Sequence, residues 1–220
     1  MKKFFFFFSL LASLSSYSAS YILQSPASSM TEVRFRIGYT FGTHRGEAQE
    51  MTGELSVNEA DLAQVRGSFF VPIDSLNTDH PVRDCHLRES LGLDYNVSHF
   101  PKEHVCIKGT SLPESGVDSM VFPFVSFTIT SVVHEKGDLL SKRGAKLRVT
   151  GIWNIHGKDV TQEMDVFLKK ETSGEYVLEG VSKATLHLKD FGIIVKDAKK
   201  GPITIKASDK IYLNLKLVFK

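Results

Sequence analysis

Cysteine, tryptophan and proline are scarce: the 220-residue chain holds 2 Cys, 1 Trp and 7 Pro. With two cysteines and eight scattered histidines there is no cluster of the kind that holds haem or a catalytic metal. A basic patch is also missing, which argues against nucleic acid or another polyanion as partner. Past the first 20 residues no run is long and apolar enough to span a membrane. A nucleotide-binding glycine loop is absent as well, and convincing helical periodicity is rare. What remains is a chain dominated by alternating apolar and polar residues.

The first 20 residues read as a secretory signal peptide. Lys2 and Lys3 form its basic start, Phe4 to Phe8 with Leu10, Leu11 and Leu14 its apolar stretch, and Ser18-Ala19-Ser20 its small-residue cleavage site. Cleavage is expected after Ser20. Of the 27 basic residues, Lys2 and Lys3 leave with the leader, so the mature chain balances its 25 acidic side chains. The reading is of a protein exported to the periplasm or secreted, with one domain over 21–220 and no transmembrane segment once the leader is removed. In that compartment Cys85 and Cys106 are expected to pair. The crosslink would close a loop of about twenty residues and contribute roughly 3 kcal/mol. Free thiols, or a zinc site with His86, His99 and His104, are the alternatives, the second against the spacing of known ligand sets.

Strands follow one another along the chain. Val33, Phe35 and Ile37 alternate with arginines; Gly38 to Gly46 reads as a bend or bulged strand; Gly53 to Val57 resumes a strand. Val65, Gly67, Phe69, Val71 and Ile73 form an inward row. Val125, Phe127, Ile129, Ser131 and Val133 form another, and Leu147, Val149, Gly151, Trp153 and Ile155 a third. A hairpin at His156-Gly157-Lys158-Asp159 leads to Val160, Gln162, Met164, Val166 and Leu168. The final strand runs Ile211, Leu213, Leu215, Leu217, Phe219. The expectation is an all-β fold: an antiparallel eight-stranded lipocalin-like barrel with a short helical segment and a long loop insert. Barrel closure is favoured because it removes sheet edges. Very large side chains mixed with glycines fit either a filled interior or a deep apolar cavity.

One charged hexapeptide, Arg83-Asp84-Cys85-His86-Leu87-Arg88, interrupts this pattern. It reads as one helical turn continuing to Leu91, in which Asp84 and Arg88, four apart, are placed to pair. A loop insert of about residues 90–121 follows, with a short strand expected near His104 to Ile107.

Taken in order, these stretches resemble the YceI-like family of exported lipocalin-like barrels. Arg83-Asp84-Cys85-His86-Leu87-Arg88 fits the family's R-D-x-H-L-R motif, and Phe122-Pro123 with Phe127 its [FY]-P-x-x-x-F. Asp190-Phe191-Gly192 fits its D-F-G before the last strands. Tyr21-Ile22-Leu23, Gly46, Gly53, Val71 and the Gly151 and Gly157 hairpin also match in order. The resemblance implies a barrel that holds an isoprenoid tail, from a polyprenol or an isoprenoid quinone. It puts Asp84 and His86 near the mouth and Phe35, Ile37, Phe69, Phe127 and Trp153 along the tail. Tyr39 stands where the family's first turn carries histidine and is the eighth candidate ligand-binding residue. Ala48 and Met51 replace aromatics, and the insert and both cysteines are additions, so this chain reads as a divergent member.

The leading function is thus a periplasmic carrier of a long apolar lipid. The competing reading is an exported structural or interaction module whose barrel is filled. Enzymatic activity is not expected, since no second motif supplies an oxyanion hole to Asp84, Cys85 and His86. No cofactor and no metal are expected, and a homodimer is compatible with the sequence.

Overall fold

Alternating burial needs a pleated backbone, and the described residues form fourteen strands. The computed structural model describes residues 18–24, 26, 29–99, 106, 112–193, 195, 198–200 and 203–220. The strands are β1 (Ala19–Ile22), β2 (Glu32–Tyr39), β3 (Gly42–Ala48), β4 (Thr52–Val57), β5 (Arg66–Pro72), β6 (Leu76–Asn77) and β7 (Phe124–Lys136). Then come β8 (Ala145–Ile155), β9 (Lys158–Lys170), β10 (Tyr176–Gly180), β11 (Ala184–His187), β12 (Ala198–Lys200), β13 (Ile203–Ile205) and β14 (Ala207–Phe219). One α-helix, α1 (Pro81–Gly92), lies between β6 and β7.

The expected closed barrel of eight strands does not form. Twelve strands join in one antiparallel sheet, in the order β1-β4-β5-β7-β8-β9-β10-β14-β2-β3-β6, with β11 also on β14. The sheet curls into an open half-barrel. Two features of the chain explain the departure. β1 is four residues long and meets β14 only at a corner, where Leu23 bridges Phe219 and the backbones of Ile22 and Lys220 exchange bonds of 2.8 Å. Beyond β14 the sheet continues outward, because Gly38 to Gly46 is a tight hairpin pairing Tyr39 with Gly42 rather than a bend. β12 and β13 form a separate pair.

The expected inward rows are present with one change of phase. A bulge at Thr130 shifts the β7–β8 register between Ile129 and Ser131. Val132 therefore turns inward and Val133, expected inside, is exposed. The β8–β9 hairpin turns on His156 and Gly157, with φ of 54° and 69°. Positive φ at both central residues is the two-residue turn that matches strand twist.

The hexapeptide lies in the expected helical segment, which runs from Pro81 to Gly92, one residue past the expected end at Leu91. Pro81 occupies the first helical turn, and the His80 ring accepts from the Arg83 N–H at 3.3 Å. The expected Asp84–Arg88 pair is absent. Asp84 instead accepts from the Thr78 N–H (2.8 Å) and hydroxyl (2.5 Å), and Arg88 donates to the Asp74 carbonyl (2.9 Å). These three bonds tie α1 back to the chain before it. Of the leader, residues 1–17 lie outside the described residues, while Ala19 and Ser20 pair with Val57 and Ser56. The strand expected near His104 to Ile107 lies outside them too, apart from Cys106.

Candidate functional site

Three aromatic side chains meet in the middle of the curled sheet. Phe69 on β5 stands opposite Phe127 on β7, which stands opposite Trp153 on β8. Their ring centroids are 5.5, 5.7 and 4.7 Å apart. Such cross-strand pairs are stabilising beyond the area they bury. Gly151 makes the arrangement possible: a Cβ there would lie 2.1 Å from the Phe127 ring. The glycine lets the ring lie down on β8. Trp153 is buried, and its indole N–H donates to the Gln162 side-chain carbonyl at 3.0 Å.

Beside this cluster is a cavity of about 20 Å³. Its border includes Leu55, Phe69, Phe127, Ile129, Met164 and Leu217, from five strands of the sheet. A space of this size holds about one water, not an isoprenoid chain. The mixture of large side chains and glycine on these rows therefore fills the interior in this conformation.

The other candidate residues lie elsewhere. Phe35 and Ile37, on β2, are partly buried on the extension beyond β14. Tyr39, near the tip of the same hairpin, stacks on His44 with centroids 4.2 Å apart. Asp84 is buried and engaged by Thr78. His86 sits on the open side of α1, its side chain 47% exposed, 3.1 Å from the Glu89 carboxylate. Neither Asp84 nor His86 borders the cavity; of the eight residues, Phe69 and Phe127 do.

Cys85 and Cys106 form the expected disulfide, with Cα atoms 5.2 Å apart. It joins the middle of α1 to the insert, and Leu93, Leu112 and Met120 pack around it as a small separate core. His86, Glu89 and Cys106 are the one grouping of metal-type side chains among the described residues. With the Cys106 sulfur bound to Cys85, two ligands remain, fewer than a zinc site requires. The same bond removes Cys85 as a nucleophile.

Sequence periodicity placed Gln162 on its row but did not mark it as a site residue. Gln162 lies on an inward row, accepts from Trp153 and donates to the Thr185 carbonyl at 2.9 Å. Its signal in the sequence is an amide between Val160 and Met164 on an otherwise apolar face. A second cluster joins β1, β10 and the turn after β4. The buried Tyr176 ring packs on Tyr21, with centroids 4.5 Å apart, and its hydroxyl donates to Glu59 at 2.5 Å. Burial, reinforced by the Glu59 carboxylate, raises the Tyr176 hydroxyl well above the usual tyrosine range. The bond from Lys170, then that from Tyr176, holds Glu59 below its usual range.

A family profile for the YceI-like domain matches residues 21–219. Among solved structures the chain resembles a polyisoprenoid binding domain from Saccharophagus degradans, implicated in plant cell wall breakdown. That likeness has 13% identity and a TM-score of 0.59, and covers 91% of this chain and 97% of that one. Burkholderia cenocepacia BcnA is similar at 13% identity and a TM-score of 0.58, covering 86% of this chain and 96% of that chain. No curated protein matches.

Proposed function

The chain belongs to the YceI-like family, and from that premise we propose that it is an exported, non-enzymatic carrier of a long apolar lipid. A polyprenol or an isoprenoid quinone is the ligand class we put forward. The Saccharophagus degradans domain, described as binding polyisoprenoid, supports this by likeness of fold. The leader-like residues 1–20 and the Cys85–Cys106 disulfide agree with an extracytoplasmic location, periplasmic or secreted. Among the described residues no helix is long and apolar enough to cross a membrane.

The observation that carries the reading is the aromatic wall of Phe69, Phe127 and Trp153 beside a cavity bordered by aliphatic side chains. An isoprenoid tail offers apolar area alone, at roughly 25 cal/mol per Å² buried. Because the cavity is about 20 Å³, the tail has to displace side chains as it enters. The small cavity is also the one observation that favours the competing reading, a filled sheet serving as an interaction module.

Native mass spectrometry separates the two. Mature protein purified without detergent is expected to carry a stoichiometric apolar adduct that solvent extraction recovers. Replacing Phe127 by a charged residue in a still-folded protein should abolish it. A clean apo mass, unchanged after incubation with polyprenols and quinones, would overturn the carrier reading in favour of the filled sheet.

A further inference from the structure

The wall of the curled sheet is broken along one edge of β9. Pairing between β9 and β10 stops at Val166 with Gly180, extended by one bond from the Val181 N–H to the Asp165 carbonyl. β11 then leaves β10's line and pairs only with β14. Among the described residues no strand pairs with this edge of β9 from residue 158 to 164. Gln162 on β9 spans the break by donating to the Thr185 carbonyl on β11 at 2.9 Å, and the turn Leu188–Phe191 packs beside β9. Outside it lies an open groove of about 410 Å³. Arg148, Gln162, Glu163, Asp165, Lys183 and Thr185 are among its borders. Among the described residues Met164 alone borders both this groove and the interior cavity.

We propose that the β9–β11 break is the ligand's way into the interior and the seat of its head group, so that groove and cavity are two halves of one site. This rests on the carrier reading given above. The tail passes Met164, whose unbranched side chain repacks at small cost. The head takes the place that Gln162 now fills, bonding to the amide that otherwise spans the break. Chemistry fixes the class of head. The groove's two cations, Arg148 and Lys183, are matched by Glu163 and Asp165. Arg148 is further held by Asp165 at 3.1 Å and Glu135 at 2.6 Å. A charge-balanced rim around an amide suits an uncharged group with one hydrogen-bonding oxygen, a hydroxyl or a quinone carbonyl, over a phosphate. Trp153, one bond from Gln162 and the sole tryptophan, is placed to report arrival.

The test follows quenching of Trp153 emission by an isoprenoid quinone. The mature Glu163→Cys/Ser182→Cys protein, which keeps Gln162 and is altered at two other borders of the groove, is bridged with a photocleavable bis-maleimide; the native cysteines, already joined, do not react. Bridging is expected to slow quenching about tenfold or more, and photolysis to restore it, a change matching one blocked route rather than lost fold. Met164→Ala should speed uptake and Met164→Phe should slow it. Polyprenol should displace the quinone better than polyprenyl phosphate. Uptake by the bridged protein at the unbridged rate would overturn the route while leaving the carrier reading intact. Stronger displacement by the phosphate would overturn the neutral head. Failure of the unaltered protein to take up either quinone or polyprenol would overturn the carrier reading and this inference with it.

Discussion

Tyr176 shows how one side chain couples packing to pH. Its ring is buried against Tyr21 and its hydroxyl is bonded to Glu59, so the folded protein keeps the proton to higher pH than a free tyrosine does. In the unfolded chain tyrosine loses that proton near pH 10. Above that point the unfolded state binds fewer protons than the native one, so stability declines as pH rises. The stabilising effect is fully present below the unfolded value and fades above it. Thermal unfolding of the wild type and Tyr176→Phe, compared from about pH 8 to about pH 11, should show the gap between them narrowing. A gap that stays constant would mean the hydroxyl does not hold its proton more tightly when folded. Neither partner of Tyr176 was legible from the sequence. Glu59 is 117 positions away in a turn, and only the fold brings the two together.

At the scale of elements, α1 and the insert behave as an attachment to the sheet. The helix is held by Asp84 on Thr78, by Arg88 on Asp74 and by the His156 ring, which donates to the Leu91 carbonyl at 3.1 Å. The insert is held by Cys85–Cys106 and its own small apolar cluster. With a sequence separation of 21, losing the crosslink is expected to cost roughly 3 kcal/mol. Cys85→Ser/Cys106→Ser protein should unfold at lower temperature, and limited proteolysis should cut it faster between residues 93 and 121. The sheet should survive as an intact fragment, because the three helix contacts remain. Unchanged melting and cleavage would show that the disulfide is not what holds the insert. The sequence made the strands legible by their alternation, whereas the helix showed only as a charged segment without an apolar stripe, for one physical reason. Strands bury apolar side chains at every second position, whereas the buried residues of α1 are Asp84, Cys85, Glu89, Leu91 and Gly92. A helix that buries charged groups bonded to neighbours carries no apolar stripe. The bulge at Thr130 escaped for the related reason that alternation continues on both sides of it.

For the whole molecule the decisive question is whether the interior is a core or a site. The order of strands could not be read from alternation, which gives each strand a face but not its neighbours. Hence the short β1, the β2–β3–β6 extension and the break beside β9 emerged only in the fold. The contents of the interior were legible, since Phe69, Phe127 and Trp153 lie on the rows their spacing assigned. Their tight packing around about 20 Å³ was not. Phe127 can decide between core and site because it touches both aromatic neighbours, lies over Gly151 and borders the cavity. Removing its ring leaves a void, and Phe127→Ala should cost about 3–5 kcal/mol by chemical denaturation. If the interior is a core, that loss is permanent and added lipid does nothing. If it receives an isoprenoid tail, the void is room for one, and the variant should regain stability as polyprenol is added. The regain should grow with ligand concentration as binding to the native state alone requires. Denaturation of Phe127→Ala protein with and without polyprenol reads this directly. A variant that stays equally weak at every concentration would count the aromatic cluster as core and leave the carrier reading without its wall.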